Sequence, residues 1–113
     1  IRLSLVGSEM CIRDRTGRVL FDTALAGGAQ ALAQPIAGLR VGARADLVTL
    51  DMSHPSLAGR RADAIIDGWI FATTNDAVDC VWVGGDKVVT NGRHRLREQA
   101  RTTFNAAVRR LVA

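Results

Sequence analysis

The chain has few cysteines, no long apolar run and no signal-peptide pattern. It contains two cysteines, Cys11 and Cys80, in 113 residues, which is too few for a disulfide framework and typical of a reducing cytoplasm. No apolar run approaches the roughly 20 residues that a membrane helix needs. The start also lacks the basic, apolar and small-residue order of a signal peptide. These absences predict a cytoplasmic protein with no membrane partner.

Lysine is nearly missing, because Lys87 is the only lysine among 15 basic residues. The formal net charge of +4 would suit a nucleic-acid-binding protein. However, the arginines are scattered along the chain, are not interleaved with aromatic residues and form no known reader motif. The sequence therefore predicts no nucleic-acid partner.

Hydrophobic residues make up 48% and charged residues 23% of the chain, which is ordinary for a globular protein. The length suits one small domain or a piece of a larger one. Residues 1–15 fit neither a helical nor a strand period and resemble translated sequencing-adaptor read-through. We predict that they are an artefact, the alternative being a genuine irregular or disordered start. Neither Glu9 nor Cys11 is then expected to have a function.

The first predicted helix begins at Thr16, a plausible N-cap. It is expected to break at Gly27–Gly28, with one more turn over residues 29–33 before Pro35 ends it. A glycine pair before a helix can bind phosphate, but the G-x-G-x-x-G and Walker patterns are absent and no strand precedes the pair. The glycine pair is therefore interpreted as a turn between helices.

Two further helices are predicted. One is capped by Asp63 and runs over residues 64–71; the other runs over residues 96–111. The second of these has an apolar stripe, formed by Leu96, Ala100, Phe104, Ala107, Val108 and Leu111.

Three strands are predicted, over residues 46–51, 78–83 and 87–90. The last two are joined by Gly84-Gly85-Asp86 and form a β-hairpin, which Asn91-Gly92 ends. One strand and one hairpin are too little sheet to be stable alone, and the apolar face of the first helix has no obvious partner. Both observations predict that the chain is a fragment.

The stretch from Gly38 to Asp51 connects the first helix with the first strand. Its glycines, Gly38 and Gly42, allow backbone conformations that other residues avoid. Asp46 is expected to accept a hydrogen bond from local backbone at a turn. The stretch is predicted to act through folding and to contain no catalytic residue.

No residue is predicted to be catalytic, to bind a cofactor or to ligate a metal. A hydrolytic metal site needs several converging ligands, whereas His54 and His94 are far apart and no H-x-H or H-E-x-x-H pattern is present. Both histidines are interpreted as loop residues bonded to backbone, and Cys80 as a small buried hydrophobe. Aspartates are interpreted as caps and turns and tryptophans as core residues, namely Asp46, Asp51, Asp63, Asp67, Trp69 and Trp82.

Residues 16–113 resemble the C-terminal end of the amidohydrolase superfamily. The motifs that carry this resemblance are G-G-A-Q-A-L at Gly27–Leu32, G-L-R-V-G-A-R-A-D-L-V at Gly38–Val48 and V-W-V-G-G-D-K-V-V at Val81–Val89. A narrower set resembles the formimidoylglutamate deiminases: L-F-D-T-A-L-A-G-G-A-Q-A-L from Leu20, H-P-S-L-A-G from His54, D-A-I-I-D-G-W-I-F-A from Asp63 and N-G-R-H from Asn91.

The resemblance implies an α/β fold in which a metal-dependent (β/α)₈ barrel is joined to a small β-sandwich built from both chain ends. Residues 16–37 would end the barrel, residues 38–95 would form the C-terminal part of the sandwich, and residues 96–113 would be a closing helix. The implied reaction is hydrolysis of N-formimidoyl-L-glutamate to N-formyl-L-glutamate and ammonia by water activated on zinc or another divalent metal. The metal ligands and the binding residues for this small-molecule substrate would precede residue 16.

The expected parent enzyme is a homodimer in histidine degradation, and the fragment alone is expected to bind no metal and to be inactive. Two alternatives remain open. The chain could come from another amidohydrolase-superfamily enzyme of guanine deaminase-like or chlorohydrolase-like type. It could also be a freestanding, non-catalytic interaction module, which would need a self-sufficient core.

Overall fold

The computed structural model describes residues 16–113. The predictions on residues 1–15, including those on Glu9 and Cys11, lie outside the described part. The described elements, in chain order, are helix α1 (Thr16–Ala31), strand β1 (Leu47–Leu50), helix α2 (Asp63–Ala72), a 3-10 turn (Asn75–Ala77), strands β2 (Val78–Val83), β3 (Asp86–Thr90) and β4 (Arg93–His94), and helix α3 (Arg97–Val112).

The four strands form one antiparallel sheet in the order β1-β2-β3-β4. The predicted hairpin is confirmed, with Val83 opposite Asp86 across a two-residue turn of Gly84 and Gly85, whose φ angles are 58° and 90°. Asp86 is therefore the first residue of β3 and not part of the turn.

A second tight turn adds strand β4, which was not predicted. Asn91 and Gly92 have φ angles of 50° and 69°, and Thr90 lies opposite Arg93. Positive φ at both central residues is the geometry of the two-residue turn that Asn-Gly favours. The Asn-Gly pair ends the second strand of the hairpin at Thr90, as predicted, and also turns the chain into β4, which was not predicted.

Helix α1 is continuous from Thr16 to Ala31, so the predicted break at Gly27–Gly28 is wrong. A glycine inside a helix costs about 0.5–1 kcal/mol relative to alanine but does not by itself break the helix. The helix ends beyond the glycines, where Ala33 adopts a φ of 52°. The Gln34 N–H donates to the Ala29 carbonyl at 2.8 Å and the Ala33 N–H to the Gln30 carbonyl at 3.2 Å, the bond pattern of a Schellman motif.

Replacing Ala33 with glycine is expected to stabilise the protein. Ala33 occupies the left-handed position that glycine usually fills in a Schellman motif, and a side chain there costs about 1–2 kcal/mol. Part of that gain is offset by the greater entropy of glycine in the unfolded chain. Urea unfolding of the full-length protein should give Ala33→Gly a higher midpoint, while Ala29→Gly, inside the helix, should lower the midpoint.

Helix α1 packs against helix α2, but not through its predicted apolar face, where Leu20 is 48% exposed. The Gly17 N–H donates to the Asp67 carboxylate at 2.7 Å. The rings of Phe21 and Trp69 lie 6.0 Å apart between centroids, at an angle of 50°. A carboxylate at the first turn of a helix is favoured by the exposed N–H groups and the helix dipole.

Two aspartates differ from their predicted roles. Asp63 is the first residue of α2 and Ala62 occupies the cap position without a side-chain hydrogen bond, so the predicted Asp63 cap is wrong. The Asp46 carboxylate accepts its bond from the Gly84 N–H at 2.7 Å, 38 residues away, and not from local backbone. It thereby ties the entry of β1 to the β2–β3 turn. Gly38 and Gly42, which were expected to allow backbone conformations that other residues avoid, have φ angles of 83° and 87°.

Very little apolar surface is buried among residues 16–113. The buried hydrophobic residues are Leu57, Ala77 and Cys80. Helix α3 contains no buried residue, and its stripe residues Phe104 and Leu111 are 67% and 85% exposed. A helix with one apolar face normally packs that face against other structure. Residues 16–113 thus form secondary structure without a hydrophobic core of ordinary size for their number.

Candidate functional site

The most connected polar cluster lies in the loop between β1 and α2. The Asp51 carboxylate accepts bonds from the Ser53 N–H at 2.8 Å and the Ser53 hydroxyl at 2.6 Å. These bonds, the hydroxyl first, hold the pKa of Asp51 below its usual value. The His54 carbonyl then accepts from the Leu57 N–H at 2.9 Å and the Ala58 N–H at 3.0 Å. The loop is therefore a closed helical turn that presents the His54 side chain.

His54 links this loop to the 3-10 turn before β2. Its Nδ1 accepts from the Ser56 N–H at 3.2 Å, and its Nε2 lies 3.2 Å from the Asp76 carboxylate. Since Nδ1 accepts a bond, the neutral ring carries its proton on Nε2 and donates to Asp76. The other Asp76 oxygen accepts from the Thr74 hydroxyl at 2.7 Å and the Thr74 N–H at 3.1 Å. The pair joins two loops that are 22 residues apart.

A histidine–aspartate pair can serve a nucleophile, but this one lacks the required geometry. In a catalytic triad the histidine nitrogen that does not face the carboxylate accepts a proton from the nucleophile. Here that nitrogen, Nδ1 of His54, accepts from the Ser56 backbone. The nearby Ser53 hydroxyl is bonded to Asp51. The cluster can therefore hold two loops together but has no activated nucleophile within the described part of the chain.

Acid is expected to weaken this link. The pKa of Asp76 is lowered from 3.8 to about 2, chiefly by the Thr74 hydroxyl and next by the His54 ring. A lowered folded-state pKa gives stability that is present above the unfolded-state pKa and is lost as the pH falls through the folded-state value. Stability from Asp76 should therefore decline between about pH 4 and about pH 2.

The Asp76→Asn variant should have a lower unfolding midpoint in urea at neutral pH and a shallower decline in acid. Asp86→Asn, at an exposed site on β3, is the matched control and should follow the unmodified protein. Equal acid dependence in all three proteins would show that the His54–Asp76–Thr74 link does not contribute to stability.

The remaining histidine, the buried cysteine and the two tryptophans lie apart from one another, and each contacts other parts of the fold. His94 lies in β4 and not in a loop as predicted; the predicted bond to backbone is present, since its Nδ1 accepts from the Leu96 N–H at 3.0 Å. Cys80 is 6% exposed within β2, where it packs as a small hydrophobe. The Trp69 ring lies beside that of Phe21 in a tilted arrangement, whereas the Lys87 ammonium lies 4.7 Å from the centre of the Trp82 ring.

The aspartates likewise do not converge. Asp46 bonds the β2–β3 turn, Asp67 bonds the start of α1, and Asp51 bonds its own loop. Sequence reasoning did not identify Asp76 as the partner of His54. The T-N-D sequence from Thr74 carries the signal for the local turn, since aspartate and threonine side chains often bond nearby backbone, but it says nothing about a histidine 22 residues earlier.

Two open clefts lie beside α1. One, of about 510 Å³, lies between the helix and the following loop and is lined by Arg18, Asp22, Leu25, Ala26, Pro35, Ile36, Ala37 and Arg40. Its Arg18 and Asp22 side chains form an ion pair at 2.8 Å, which raises the pKa of Arg18. The second cleft, of about 250 Å³, is lined mostly by apolar residues that include Leu25, Gly28, Leu32 and Ile36. Neither cleft brings together a base and a nucleophile.

Residues 16–113 do not provide a metal centre. Within this range no group of three or more histidine, cysteine, aspartate and glutamate side chains is placed to hold a metal ion. A catalytic zinc site commonly needs three protein ligands around an open position. The described residues therefore do not fit the metal that the family resemblance implies. In the same range, no helix combines the length and the apolar character needed to cross a membrane.

Comparison with known proteins gives two informative matches. The chain is 50% identical over 88 residues to a formimidoylglutamate deiminase of Pseudomonas aeruginosa; the match covers 78% of this chain and 19% of that protein. Its structure resembles the crystal structure of an amidohydrolase from Brucella melitensis with a TM-score of 0.77 and 46% identity, covering 88% of this chain and 21% of the other. No protein-family profile matches the chain.

The chain thus resembles amidohydrolases in both sequence and fold. More narrowly, its sequence resembles formimidoylglutamate deiminase, and both matches fit a C-terminal part of an amidohydrolase. The predicted resemblance is confirmed. The chain spans about a fifth of the length of the relatives that it matches.

Proposed function

We propose that this chain is the C-terminal part of a formimidoylglutamate deiminase, a hydrolase that acts on a C–N bond. The parent enzyme would convert N-formimidoyl-L-glutamate and water into N-formyl-L-glutamate and ammonia. The observation that carries this proposal is the 50% identity to a formimidoylglutamate deiminase over 88 residues. The structural likeness to an amidohydrolase at 46% identity supports the broader class.

The contribution of this chain to the enzyme is structural. Residues 16–37 would end the barrel, residues 38–95 would belong to the small β-sandwich and residues 96–113 would be the closing helix. The polar bonds within the described range support this division of labour, because they tie chain segments to one another, as Asp67 does with Gly17 and Asp46 with Gly84. Catalytic, cofactor-binding and metal-ligating residues would all lie in the rest of the enzyme.

The metal of the parent enzyme, zinc or another divalent ion, would accordingly be held outside residues 16–113. We assign no step of the hydrolysis to any residue described above. The proposed parent enzyme is a homodimer. It is also proposed to be cytoplasmic, in keeping with the low cysteine content.

The exposed apolar surface favours this role over a freestanding interaction module. A self-sufficient module needs a core, whereas Val41 and Leu39 are 103% and 82% exposed and α3 has no buried residue. Monomeric soluble proteins rarely expose large contiguous apolar patches. Such surface is expected where a larger protein has more structure to pack against it.

The test is to express the full-length protein encoded at the genomic locus and to measure its hydrolysis products. The proposal predicts ammonia and N-formyl-L-glutamate in equal amounts from N-formimidoyl-L-glutamate. Guanine and a chlorinated triazine serve as comparison substrates for the other amidohydrolase activities. A folded, metal-containing enzyme that hydrolyses a comparison substrate and not the formimidoyl compound would contradict the proposed substrate.

A further inference from the structure

The Asn91-Gly92 turn contains the pair of residues in this chain that is best suited to spontaneous deamidation. Of the asparagines Asn75, Asn91 and Asn105, only Asn91 precedes a glycine. Deamidation begins when the backbone nitrogen of the following residue attacks the side-chain amide carbon. Glycine has no Cβ and therefore hinders this attack least. In an unfolded chain, Asn91 should react faster than the other two asparagines.

The reaction needs no reagent other than water. The Gly92 nitrogen loses its N–H proton and bonds to the Asn91 Cγ, while the side-chain nitrogen leaves with that proton as ammonia and a succinimide ring forms. Water then adds to one of the ring carbonyl carbons and breaks its bond to the ring nitrogen. Addition at one carbonyl gives aspartate. Addition at the other gives isoaspartate, in which the main chain runs through the side-chain methylene.

The fold holds the attacking nitrogen in a hydrogen bond. The Gly92 N–H donates to the Asp79 carbonyl of β2 at 2.7 Å. A side chain on Gly92 would lie 3.1 Å from the Val78 carbonyl oxygen, so the turn lies close against the backbone of β2. The proton that deamidation must remove is therefore bound to another strand, and the nitrogen that must move toward Asn91 is fixed there.

Strand pairing also restrains the turn. Thr90 lies opposite Arg93, and the pairing continues with a 3.0 Å bond from the Arg95 N–H to the Val88 carbonyl. Closure of the succinimide ring would fix the rotation about the Asn91 Cα–C bond at the value that the ring imposes. Strands paired across the turn resist such a rotation, so ring closure should require the turn to open first.

We propose that Asn91 is a deamidation site that the β3–β4 turn keeps unreactive in the folded protein and that unfolding makes reactive. The two products differ in their effect. Aspartate before glycine suits the same two-residue turn, whereas isoaspartate adds one carbon to the main chain between Thr90 and Arg93. Isoaspartate would therefore disrupt the pairing of β4 permanently. This proposal does not depend on the proposed function, because the turn and its bonds lie within this chain.

The experiment follows residues 88–93, which trypsin releases as one peptide by cutting after Lys87 and after Arg93. The full-length protein is incubated in mildly alkaline heavy-oxygen water, either folded or in guanidinium chloride, and mass spectrometry measures label uptake in this peptide. Deamidation of Asn91 should be at least about tenfold slower in the folded protein, because opening the turn costs free energy. In guanidinium chloride, Asn91 should react faster than Asn75 and Asn105.

Two results would overturn the proposal. Equal rates at Asn91 in the folded and the unfolded protein would show that the turn gives no protection. A rate at Asn91 no higher than those at Asn75 and Asn105 in guanidinium chloride would show that it is not a preferred site.

Hydrogen exchange at the Gly92 amide tests the cause of the protection. Base-catalysed exchange and deamidation both remove the Gly92 N–H proton, so the fold should slow this exchange by at least about tenfold as well. An amide that exchanges equally fast in the folded and the unfolded protein would show that the bond to Asp79 does not protect Asn91.

The Asn91→Asp variant tests the distinction between the products. It contains the aspartate product from the start and should melt at the temperature of the unmodified full-length protein, since Asp-Gly also suits this turn. A clearly lower melting temperature would contradict the claim that only isoaspartate disrupts β4.

Discussion

Leu57→Ala is expected to lower the free energy of unfolding by about 2–5 kcal/mol, the usual cost of truncating a fully buried leucine. Leu57 is completely buried, and its Cδ2 lies against Gly68 of α2. The same turn contains His54. The Arg60 Nε–H donates a hydrogen bond to the Ser56 carbonyl in this turn at 2.7 Å. Loss of the leucine side chain should therefore release the whole loop from α2.

The measurement is urea unfolding of the full-length protein with Leu57→Ala, beside the same protein with Ala58→Ser. Ala58 is an exposed neighbour in the same turn, and its substitution should change stability by less than about 0.5 kcal/mol. Hydrogen exchange should show the loss of protection concentrated at residues 54–60. A Leu57→Ala protein as stable as the control would mean that the loop does not depend on this contact.

Gly17→Ala should destabilise the protein by about 1–3 kcal/mol, although alanine is the better helix former. The new methyl would overlap the Asp67 carboxylate and approach the Asp67 backbone to 3.0 Å, so α1 and α2 would have to separate. The 2.7 Å bond from the Gly17 N–H to that carboxylate would lengthen as well.

The matched substitution is Gly27→Ala in the same helix, where a methyl meets open space and should not destabilise the protein. If urea unfolding shows that Gly17→Ala lowers the free energy of unfolding and Gly27→Ala raises it, packing outweighs helix propensity at Gly17. Stabilisation by both would contradict the α1–α2 contact. An Asp67→Asn variant, which keeps an oxygen acceptor for Gly17, should lose less stability than Asp67→Ala.

Local sequence signals predicted the elements whose stability is decided locally. Alternation from Val78 to Val83 and the two glycines that follow identified the hairpin, because a two-residue turn fixes the register of its strands. The helical spacing from Leu96 to Leu111 likewise predicted α3. The Asn91-Gly92 pair contained the signal for β4, but it was interpreted only as the end of the hairpin.

Predictions failed where the local balance within a helix was misjudged and where distant residues decide the structure. The glycine pair in α1 was interpreted as a break, yet flanking helix formers such as Ala24 and Ala29 keep the helix continuous. The bonds from Gly17 to Asp67 and from Gly84 to Asp46 join residues 50 and 38 positions apart. Spacing along one sequence does not specify such pairs, since each partner is a residue type that also caps or turns the chain locally.

For the candidate site, the sequence predicted which residue types are missing but not which side chains contact each other. The motifs and their spacing predicted that this chain contains no catalytic, cofactor-binding or metal-ligating residue, and this remains a prediction. The link from His54 to Asp76 could not be derived from the sequence, because it depends on how the loop after β1 folds back onto the 3-10 turn. The family resemblance, by contrast, was predictable from short motifs such as H-P-S-L-A-G.

The central claim, that this chain supplies structure and no catalytic group to a formimidoylglutamate deiminase, is tested most directly with a chimaera. The 88-residue matching segment of the Pseudomonas aeruginosa enzyme is replaced by the corresponding part of this chain, and ammonia release from N-formimidoyl-L-glutamate is measured. Our account predicts that the chimaera keeps the turnover, the metal content and the cooperative unfolding of the unmodified relative. A chimaera that folds and binds metal equally well but releases no ammonia would contradict it.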